Sequence, residues 1–326
     1  MRVFIIGGTR FIGPCIARQL LDANCEIALF HRGQTESPLP QNIQHIHGDL
    51  NHLDEYRPQI QSFRPDVILH MRASTRAQAE TFMRTVRDIA PRVVVPSSQD
   101  VYRAYGRLHK TEPGPIDPTP LTEDSPLREK LSIHGEAYEK KWVEEVVMND
   151  PQTAGTILRY PAVYGPGDYR LYDLTRRMLD NRPAILLEKT FSAWRWTHGY
   201  VEDIAHTTTL AILNLKAATR IYNCGESISP TYLQRVQQIA RAANWNGKIL
   251  TFPFDQMPPH LREPLAWEQD WLCDTTRIRT ELGFKEKCDY NAGLRAMVQW
   301  HRDHPKAIDP KEFDYAAEDA AIAALR

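Results

Sequence analysis

The N-terminal stretch MRVFIIGGTRFIG limits most strongly what this chain can fold into. It reads as an apolar strand that runs into a turn containing Gly7, Gly8 and Gly13. Residues 11–23 then carry apolar side chains at helical spacing, and CEIALFHRG reads as a second strand. Strand, glycine turn, helix and strand within about 30 residues are typical of one βαβ unit, in which the two strands are parallel.

The alternation of strands and helices continues beyond this unit. The apolar runs IQHIHGDL, DVILHM, RVVVPSS and GTILRYP are separated by polar segments long enough for helices, such as 80–89 and 135–148. The pattern predicts the α/β class, with a doubly wound, Rossmann-type parallel sheet covered on both faces. We expect residues 1–165 to form the nucleotide-binding domain and 166–326 mainly a smaller C-terminal substrate lobe, with segments that return to the first domain. Residues 103–131, rich in proline, glycine and charge, are predicted to be a loop.

Composition excludes several function classes. Forty basic and forty-one acidic residues leave a net charge of −1, so no global field would draw the protein to nucleic acid. No run approaches the roughly 18 apolar residues of a membrane-spanning helix, and a signal-peptide core is missing, so we expect a cytoplasmic protein without a membrane partner. The five cysteines lack CxxC or Cys/His ligand spacing, and we therefore expect neither disulfides nor a metal site.

The glycine turn predicts a dinucleotide site. Backbone amides there, and the N-terminus of the following helix, can receive a pyrophosphate. The predicted cofactor-contacting residues of this turn are Gly7, Thr9, Arg10, Phe11, Ile12 and Gly13. The alternative interpretation is a tight turn that only packs the helix on the strand.

The residues after the second strand decide which cofactor is expected. An Asp or Glu there would bind the ribose hydroxyls of NAD, whereas an Arg accommodates a 2′-phosphate. The sequence has FHRG, with Arg32 and no acidic residue beside it. Arg10 in the turn supplies a second guanidinium, so we predict NADP(H) over NAD(H). Asp49 and Leu50 end the third strand, where Asp49 could meet the adenine edge.

A resemblance to a known family rests on several motifs in order along the chain. They are GGTRFIG, DVILHMRAS, VVVPSSQDVY, LRYPAVYGPGD, YVEDIA, IYNCGE and DTTRIRTELGF. Together they resemble the extended short-chain dehydrogenase/reductase superfamily of the NAD(P)-dependent epimerase/dehydratase type, in an atypical form in which Arg10 replaces the middle glycine of GxxGxxG. The resemblance implies a Rossmann domain, a substrate lobe, a homodimer as the default assembly and a Ser/Thr, Tyr and Lys catalytic group.

The catalytic group departs from the family pattern. Ser98 stands where the catalytic Ser/Thr is expected, but no YxxxK follows in SIHGEAYEKKWVEE. One register places His134 and Tyr138 at the Tyr and Lys positions; the other, which we favour, places Lys140 at the lysine position with Tyr138 close by. On a regular helix residues two apart point about 200° apart, so Tyr138 and Lys140 cannot both face the cofactor. Either the helix start is irregular or one is a bystander, and Glu136 or His134 could then act as acid or base.

The sequence thus predicts Ser98, Tyr138 and Lys140 as catalytic residues, with Lys140 also holding the nicotinamide ribose. The expected function is an NADP(H)-dependent oxidoreductase of the epimerase/dehydratase type, acting on an alcohol or carbonyl of a small polar substrate such as a sugar nucleotide. The resemblance also makes Asp100 a candidate dehydratase-like acid. Trp194 and Trp196 in FSAWRWTHGY fit either a substrate pocket or the core. The alternative function is a non-catalytic, NADP-binding regulatory or RNA-associated protein.

Overall fold

A seven-stranded parallel sheet forms the centre of the molecule. The computed structural model describes residues 1–34, 39 and 42–325. The strand order of the sheet is β3-β2-β1-β4-β5-β6-β10. The strands of the described chain are β1 Arg2–Ile6, β2 Glu26–His31, β3 Gln44–His47, β4 Val67–His70, β5 Arg92–Ser98, β6 Ala154–Tyr160, β7 Ala162–Tyr164, β8 Ala184–Glu188, β9 His198–Tyr200, β10 Arg220–Asn223 and β11 Lys248–Phe252. The order and the parallel pairing confirm the predicted doubly wound, Rossmann-type sheet.

Helices pack on both faces of the sheet, and further helices follow it in the C-terminal half of the chain. In the described residues they are α1 Ile12–Asp22, α2 Arg57–Phe63, α3 Arg76–Val86, α4 Arg103–Leu108, α5 Lys140–Met148, α6 Tyr172–Leu179, α7 Lys189–Ala193, α8 Val201–Leu213, α9 Tyr232–Ala242, α10 Thr276–Leu282, α11 Tyr290–Asp303 and α12 Tyr315–Ala323. No helix in these ranges is long and apolar enough to cross a membrane.

The two faces of the sheet belong to separate hydrophobic cores because side chains alternate along each strand. Val3 and Ile5 of β1 pack in one core with residues of α1 and α8. Phe4 and Ile6 pack in the other core with residues of α2, α3 and α5. Burial on both faces explains the nearly continuous apolar runs of the sequence.

Two short parallel pairs, β8 with β11 and β7 with β9, lie outside the central sheet. A third core of aromatic residues, which includes Tyr102, Trp194 and Trp267, lies beneath the 103–131 segment. β10 returns to the central sheet beside β6. The division of the chain at residue 165 stays a prediction.

Two local predictions are wrong. The segment 103–131 is not only loop, because residues 103–108 form α4, which buries Ala104, Tyr105 and Leu108. The helix predicted over 135–148 begins only at Lys140; a single 3-10 turn, Gly135–Ala137, precedes it. The C-terminal segment forms α12, and Arg326 lies outside the described residues.

Candidate active site

The glycine turn between β1 and α1 is built for close backbone approach. Gly7 and Gly8 have φ values of +79° and +89°, which L side chains rarely adopt. A Cβ on Gly13 would lie 1.9 Å from the carbonyl oxygen of Gly8, so only glycine lets the helix start against the turn. The Gly7 amide donates to the Phe30 carbonyl at 2.9 Å and ties the turn to the end of β2. The N-terminus of α1 thus faces a narrow, backbone-lined cradle.

The remaining residues of the predicted cofactor turn lie around this cradle. Thr9 is half-buried, Arg10 is exposed, and Ile12 is the first residue of α1. Phe11 has a φ of +52°, and its ring lies against Gly167, where an added Cβ would come within 3.3 Å of it. The turn therefore contacts the loop that follows β7.

Three arginines stand at the same edge of the sheet. Ile6 pairs with Phe30 and with His70, so the chain leaves β1, β2 and β4 side by side. Arg10 and Arg32 follow the first two of these strands, and both are exposed. Sequence reasoning missed the third, Arg72, whose side chain lies over the turn so closely that a Cβ on Gly7 would be 2.5 Å from its Cγ. Its position two residues after the apolar run of β4 was the available signal.

Asp49 and Leu50 lie at the end of β3. Asp49 is exposed, and its Oδ1 accepts a hydrogen bond from the Asn51 amide at 3.0 Å. Leu50 is half-buried and packs against the core beneath the sheet. Asp49 therefore caps the 3-10 helix Leu50–Tyr56 at the sheet edge where the adenine contact is predicted.

Ser98, Tyr138 and Asp100 lie together at the end of β5. Ser98 is the last residue of the strand, and its hydroxyl lies close enough to the Tyr138 and Asp100 side chains to lower the pKa of each. Ser98 Oγ also accepts from the Asp100 amide at 3.3 Å. The structure thus brings the predicted serine and tyrosine together across 40 residues of chain.

Tyr138 and Lys140 face the same region because the chain between them is extended. Tyr138 has φ −148° and ψ 91°, and Glu139 has φ −132° and ψ 87°. Residues two apart in an extended chain point to the same side, whereas on a helix they point apart. The Lys140 Nζ atom lies 5.5 Å from the centroid of the Tyr138 ring. Of the two alternatives left open by the sequence, the structure has the irregular helix start.

The buried Lys140 ammonium is held by backbone carbonyls. Lys140 is 6% exposed, and its Nζ donates to the carbonyls of Ala73 and Pro96, the second at 3.2 Å. Burial lowers the pKa of Lys140 to about 8, opposed by the Asp100 carboxylate. The other candidates of this segment lie outside the group: Glu136 and His134 are exposed, and the His134 ring contacts Tyr138 edge to face at 5.6 Å.

Glu139 keeps the segment extended. Its side chain is fully buried and accepts from both Nη atoms of Arg128, at 2.9 and 3.0 Å. It also accepts from the amides of Ser132 and Lys141, while its own amide donates to the Ser74 carbonyl at 2.9 Å. Arg128 Nε donates in turn to the Asp100 carbonyl. The Glu139–Arg128 ion pair therefore contacts both the extended segment with Tyr138 and Lys140 and the segment with Asp100.

Asp100 is a buried carboxyl group with a raised pKa. Desolvation by burial is the main cause, and the hydrogen bond to Ser98 opposes it. Its Oδ1 atom has no hydrogen-bond partner within the described residues. Burial likewise raises the pKa of Tyr138, so this phenol is protonated at neutral pH. The site therefore contains two protonatable groups, the Asp100 carboxyl and the Tyr138 phenol, close to the Ser98 hydroxyl.

Four contacting aromatic side chains, here called the aromatic wall, lie next to the Ser98 segment. Tyr105 contacts Trp271 at 4.7 Å between ring centroids, Trp271 stacks on Trp196 at 5.4 Å, and Trp196 contacts His198 at 4.6 Å. The Trp271 indole donates to the Gln99 carbonyl at 3.0 Å, which joins the wall to the Ser98 segment. Trp194 is 4% exposed and belongs to the core, so the two tryptophans of the sequence cluster have different environments.

The chain is similar to known proteins over most of its length. A family model described as the NAD dependent epimerase/dehydratase family matches residues 3–225. The dTDP-glucose 4,6-dehydratase of Streptomyces niveus is 24% identical over 95% of this chain and 95% of that protein. The chloroplast stem-loop binding protein of 41 kDa b from Arabidopsis thaliana is 21% identical over 98% of this chain and 84% of that protein. Among solved structures, the UDP-glucose 4-epimerase of Thermus thermophilus in complex with NAD has the same fold, with a TM-score of 0.68 at 21% identity, over 93% of this chain and 100% of that chain.

Proposed function

The chain belongs to the NAD dependent epimerase/dehydratase family, and we propose that it is an NADP(H)-dependent oxidoreductase acting on an alcohol or carbonyl group of a small polar substrate, of the sugar-nucleotide class. The observation that carries the proposal is the Ser98, Tyr138 and Lys140 group. The YxxxK spacing is missing, yet the extended segment before α5 turns Tyr138 and Lys140 to one side. The spacing YxK in an extended chain thus replaces YxxxK on a helix.

Each residue of the group has a chemical role in this proposal. When bound, a nicotinamide cofactor would supply the hydride acceptor or donor. The Ser98 hydroxyl donates a hydrogen bond to the substrate oxygen; the Tyr138 hydroxyl gives a proton to that oxygen on reduction, and the Tyr138 phenolate receives a proton from it on oxidation. The Lys140 ammonium donates to the nicotinamide ribose and favours the phenolate of Tyr138 when the proton leaves. Asp100, with its raised pKa, is a second proton donor for loss of a hydroxyl group as water.

The residues of the cradle fit a phosphorylated dinucleotide. The turn supports a pyrophosphate site because the positive φ of Gly7 and Gly8, and the absence of a Cβ on Gly13, let α1 begin directly against the turn, and the amides of a helix N-terminus bind anions. No acidic residue follows β2; Arg32 stands there, and Arg10 lies in the adjacent turn. Arg72 adds positive charge over Gly7. These three guanidinium groups support NADP(H) over NAD(H), because a 2′-phosphate gains charge-assisted hydrogen bonds from arginine.

The aromatic wall supports a sugar-containing substrate. Trp196 is partly exposed, and its indole N–H has no hydrogen-bond partner in the described chain. Aromatic rings with a polar edge suit a sugar ring, which has both C–H faces and hydroxyls. Relatives named for dTDP-glucose and UDP-glucose chemistry favour the same class. The predicted homodimer and cytoplasmic location stay predictions.

A second candidate function is a non-catalytic, cofactor-binding protein associated with RNA. The relative named as a chloroplast stem-loop binding protein, and the loss of YxxxK, favour it. The near-zero net charge disfavours broad RNA binding. Turnover that depends on Tyr138 would exclude a purely non-catalytic role.

The test measures turnover with a panel of nucleotide-linked hexoses in the presence of NADP⁺ or NADPH. Reduction is followed by NADPH absorbance, and dehydration or epimerisation by mass spectrometry and NMR of the product. We expect Tyr138→Phe to lower kcat about 10²-fold or more, because proton transfer by a positioned side chain contributes about 10²–10⁴. Tyr315→Phe is the matched control, because Tyr315 lies on α12, where its hydroxyl donates to Asp180 and not to any residue of the site. Turnover that is unchanged in Tyr138→Phe, or missing from the wild type with the whole panel, contradicts the proposal.

A further inference from the structure

Three histidines meet on one face of the sheet edge formed by β2 and β3. His31 is the last residue of β2, and His45 and His47 alternate along β3. The parallel register sets His31 opposite His47 and Leu29 opposite His45, so the three side chains share a face. One ring nitrogen from each lies within 4.8 Å of the other two.

The spacing of the rings suits a metal ion. Zinc binds imidazole nitrogen at about 2.0–2.1 Å, so two such ligands at a tetrahedral centre lie about 3.3 Å apart. His31 Nε2 is 2.8 Å from His45 Nδ1, and the centroids of His31 and His47 are 4.7 Å apart. The His31 and His45 nitrogens are thus slightly closer than the required value, and all three ligand nitrogens lie within 4.8 Å of one another, so a small rotation of the rings could bring them to it. His45 and His47 are exposed and can turn about their side-chain bonds, whereas His31 is buried and fixed.

Two hydrogen bonds of the His31 ring would change when an ion binds. The Gly33 amide donates to His31 Nδ1 at 3.2 Å, so the neutral ring carries its proton on Nε2 and donates it to His45 Nδ1. An ion between the rings takes the place of that proton. His31 then carries its proton on Nδ1, and the Gly33 contact is lost. Gly33 has a φ of +72°, and as a glycine its backbone is free to rearrange.

We propose that His31, His45 and His47 form a binding site for a late first-row divalent ion, with zinc as the expected ion and a fourth position open to water. Imidazole is a common ligand of such ions, and three protein ligands with an open position are a frequent zinc arrangement. The expectation of no metal site rested on the spacing of the cysteines, whereas these three ligands come from neighbouring strands and include no cysteine. The site adjoins Arg32, but the proposal stands independently of the proposed cofactor.

The test uses the full chain without an affinity tag, stripped with a chelator and free of nucleotide. Zn²⁺ affinity is measured by competition with a chromogenic chelator, and Co²⁺ coordination by visible absorption. We expect one ion per chain with a Kd of about 1 micromolar or tighter. His45→Ala and His47→Ala should each weaken binding about tenfold or more and remove the cobalt spectrum.

His52→Ala is the matched control, because His52 is exposed and lies outside the cluster. It should leave the affinity unchanged. Urea midpoints of the variants show whether they fold, since both replaced ligands are at the surface. Failure of the wild type to bind Zn²⁺ at about 100 micromolar overturns the proposal, as does binding that persists in both ligand variants.

Discussion

Replacement of Glu139 by Gln tests what holds Tyr138 and Lys140 together. The Glu139 carboxylate accepts four hydrogen bonds from Arg128, Ser132 and Lys141, and both side chains of the ion pair are fully buried. The amide nitrogen of Gln cannot accept a hydrogen bond, so one Nη group of Arg128 loses its acceptor. The positive charge of Arg128 then stays buried without a counter-charge. Breaking a buried pair in this way costs about 3–5 kcal/mol. That is a large fraction of a typical stability of about 5–15 kcal/mol.

Urea unfolding followed by tryptophan fluorescence measures this loss. Glu145→Gln is the matched control on the same helix, because its pair with Arg76 is 2.7 Å long but exposed. An exposed pair contributes about 0–1 kcal/mol, so the control should be nearly neutral. We also expect Glu139→Gln to lower kcat while the protein is still folded, since the extended segment loses its anchor. Equal free energies of unfolding for the two variants would refute the role given to Glu139.

Two further predictions concern the cofactor and the pH dependence. Arg32→Ala should weaken NADPH binding about 10–100-fold and leave NADH binding unchanged, because hydrogen bonds to charged groups contribute about 1.5–3 kcal/mol. Arg295→Ala, the replacement of an exposed arginine on α11, is the control. Equal affinities of the wild type for NADPH and NADH would contradict the proposed role of Arg10, Arg32 and Arg72. The pKa of Lys140 is lowered to about 8 by burial, so the ammonium form is lost as the pH rises through this value, and kcat/KM should fall there. A pH–rate profile measures this alkaline limb, which should disappear in Lys140→Arg; a limb that persists near pH 8 would exclude Lys140 as its cause.

Local sequence patterns were sufficient for the sheet and the nucleotide turn. Strands buried on both faces must be apolar along their length, and a helix that starts against a turn requires glycine at Gly13, so both features are visible in neighbouring residues. The same locality explains the prediction of Ser98, which ends an apolar run. It also explains the prediction of Arg32 as a cofactor contact, since the residue after the second strand has a known position in this kind of unit.

Features that depend on distant residues were decided by the folded chain. Residues 135–148 have helical spacing throughout. The buried ion pair of Glu139 with Arg128, and the hydrogen bond from the Glu139 amide to the Ser74 carbonyl, nevertheless hold Glu139 in an extended conformation. A helix there would have turned Tyr138 away from Lys140 and separated the group. Residues 103–108 look polar and loop-like, yet the tertiary structure supplies the aromatic neighbours that bury one side of α4.

The histidine cluster shows the same division most simply. His45 and His47 lie in one short strand, and the sequence places them there. That His31 lies opposite His47 follows only from the register in which β2 and β3 pair. Local propensity and hydrophobic period act over a few residues and were readable from the chain. Pairing register, ion pairs and ring contacts join residues far apart in sequence, and they exist only once the sheet and its two cores have brought those residues together.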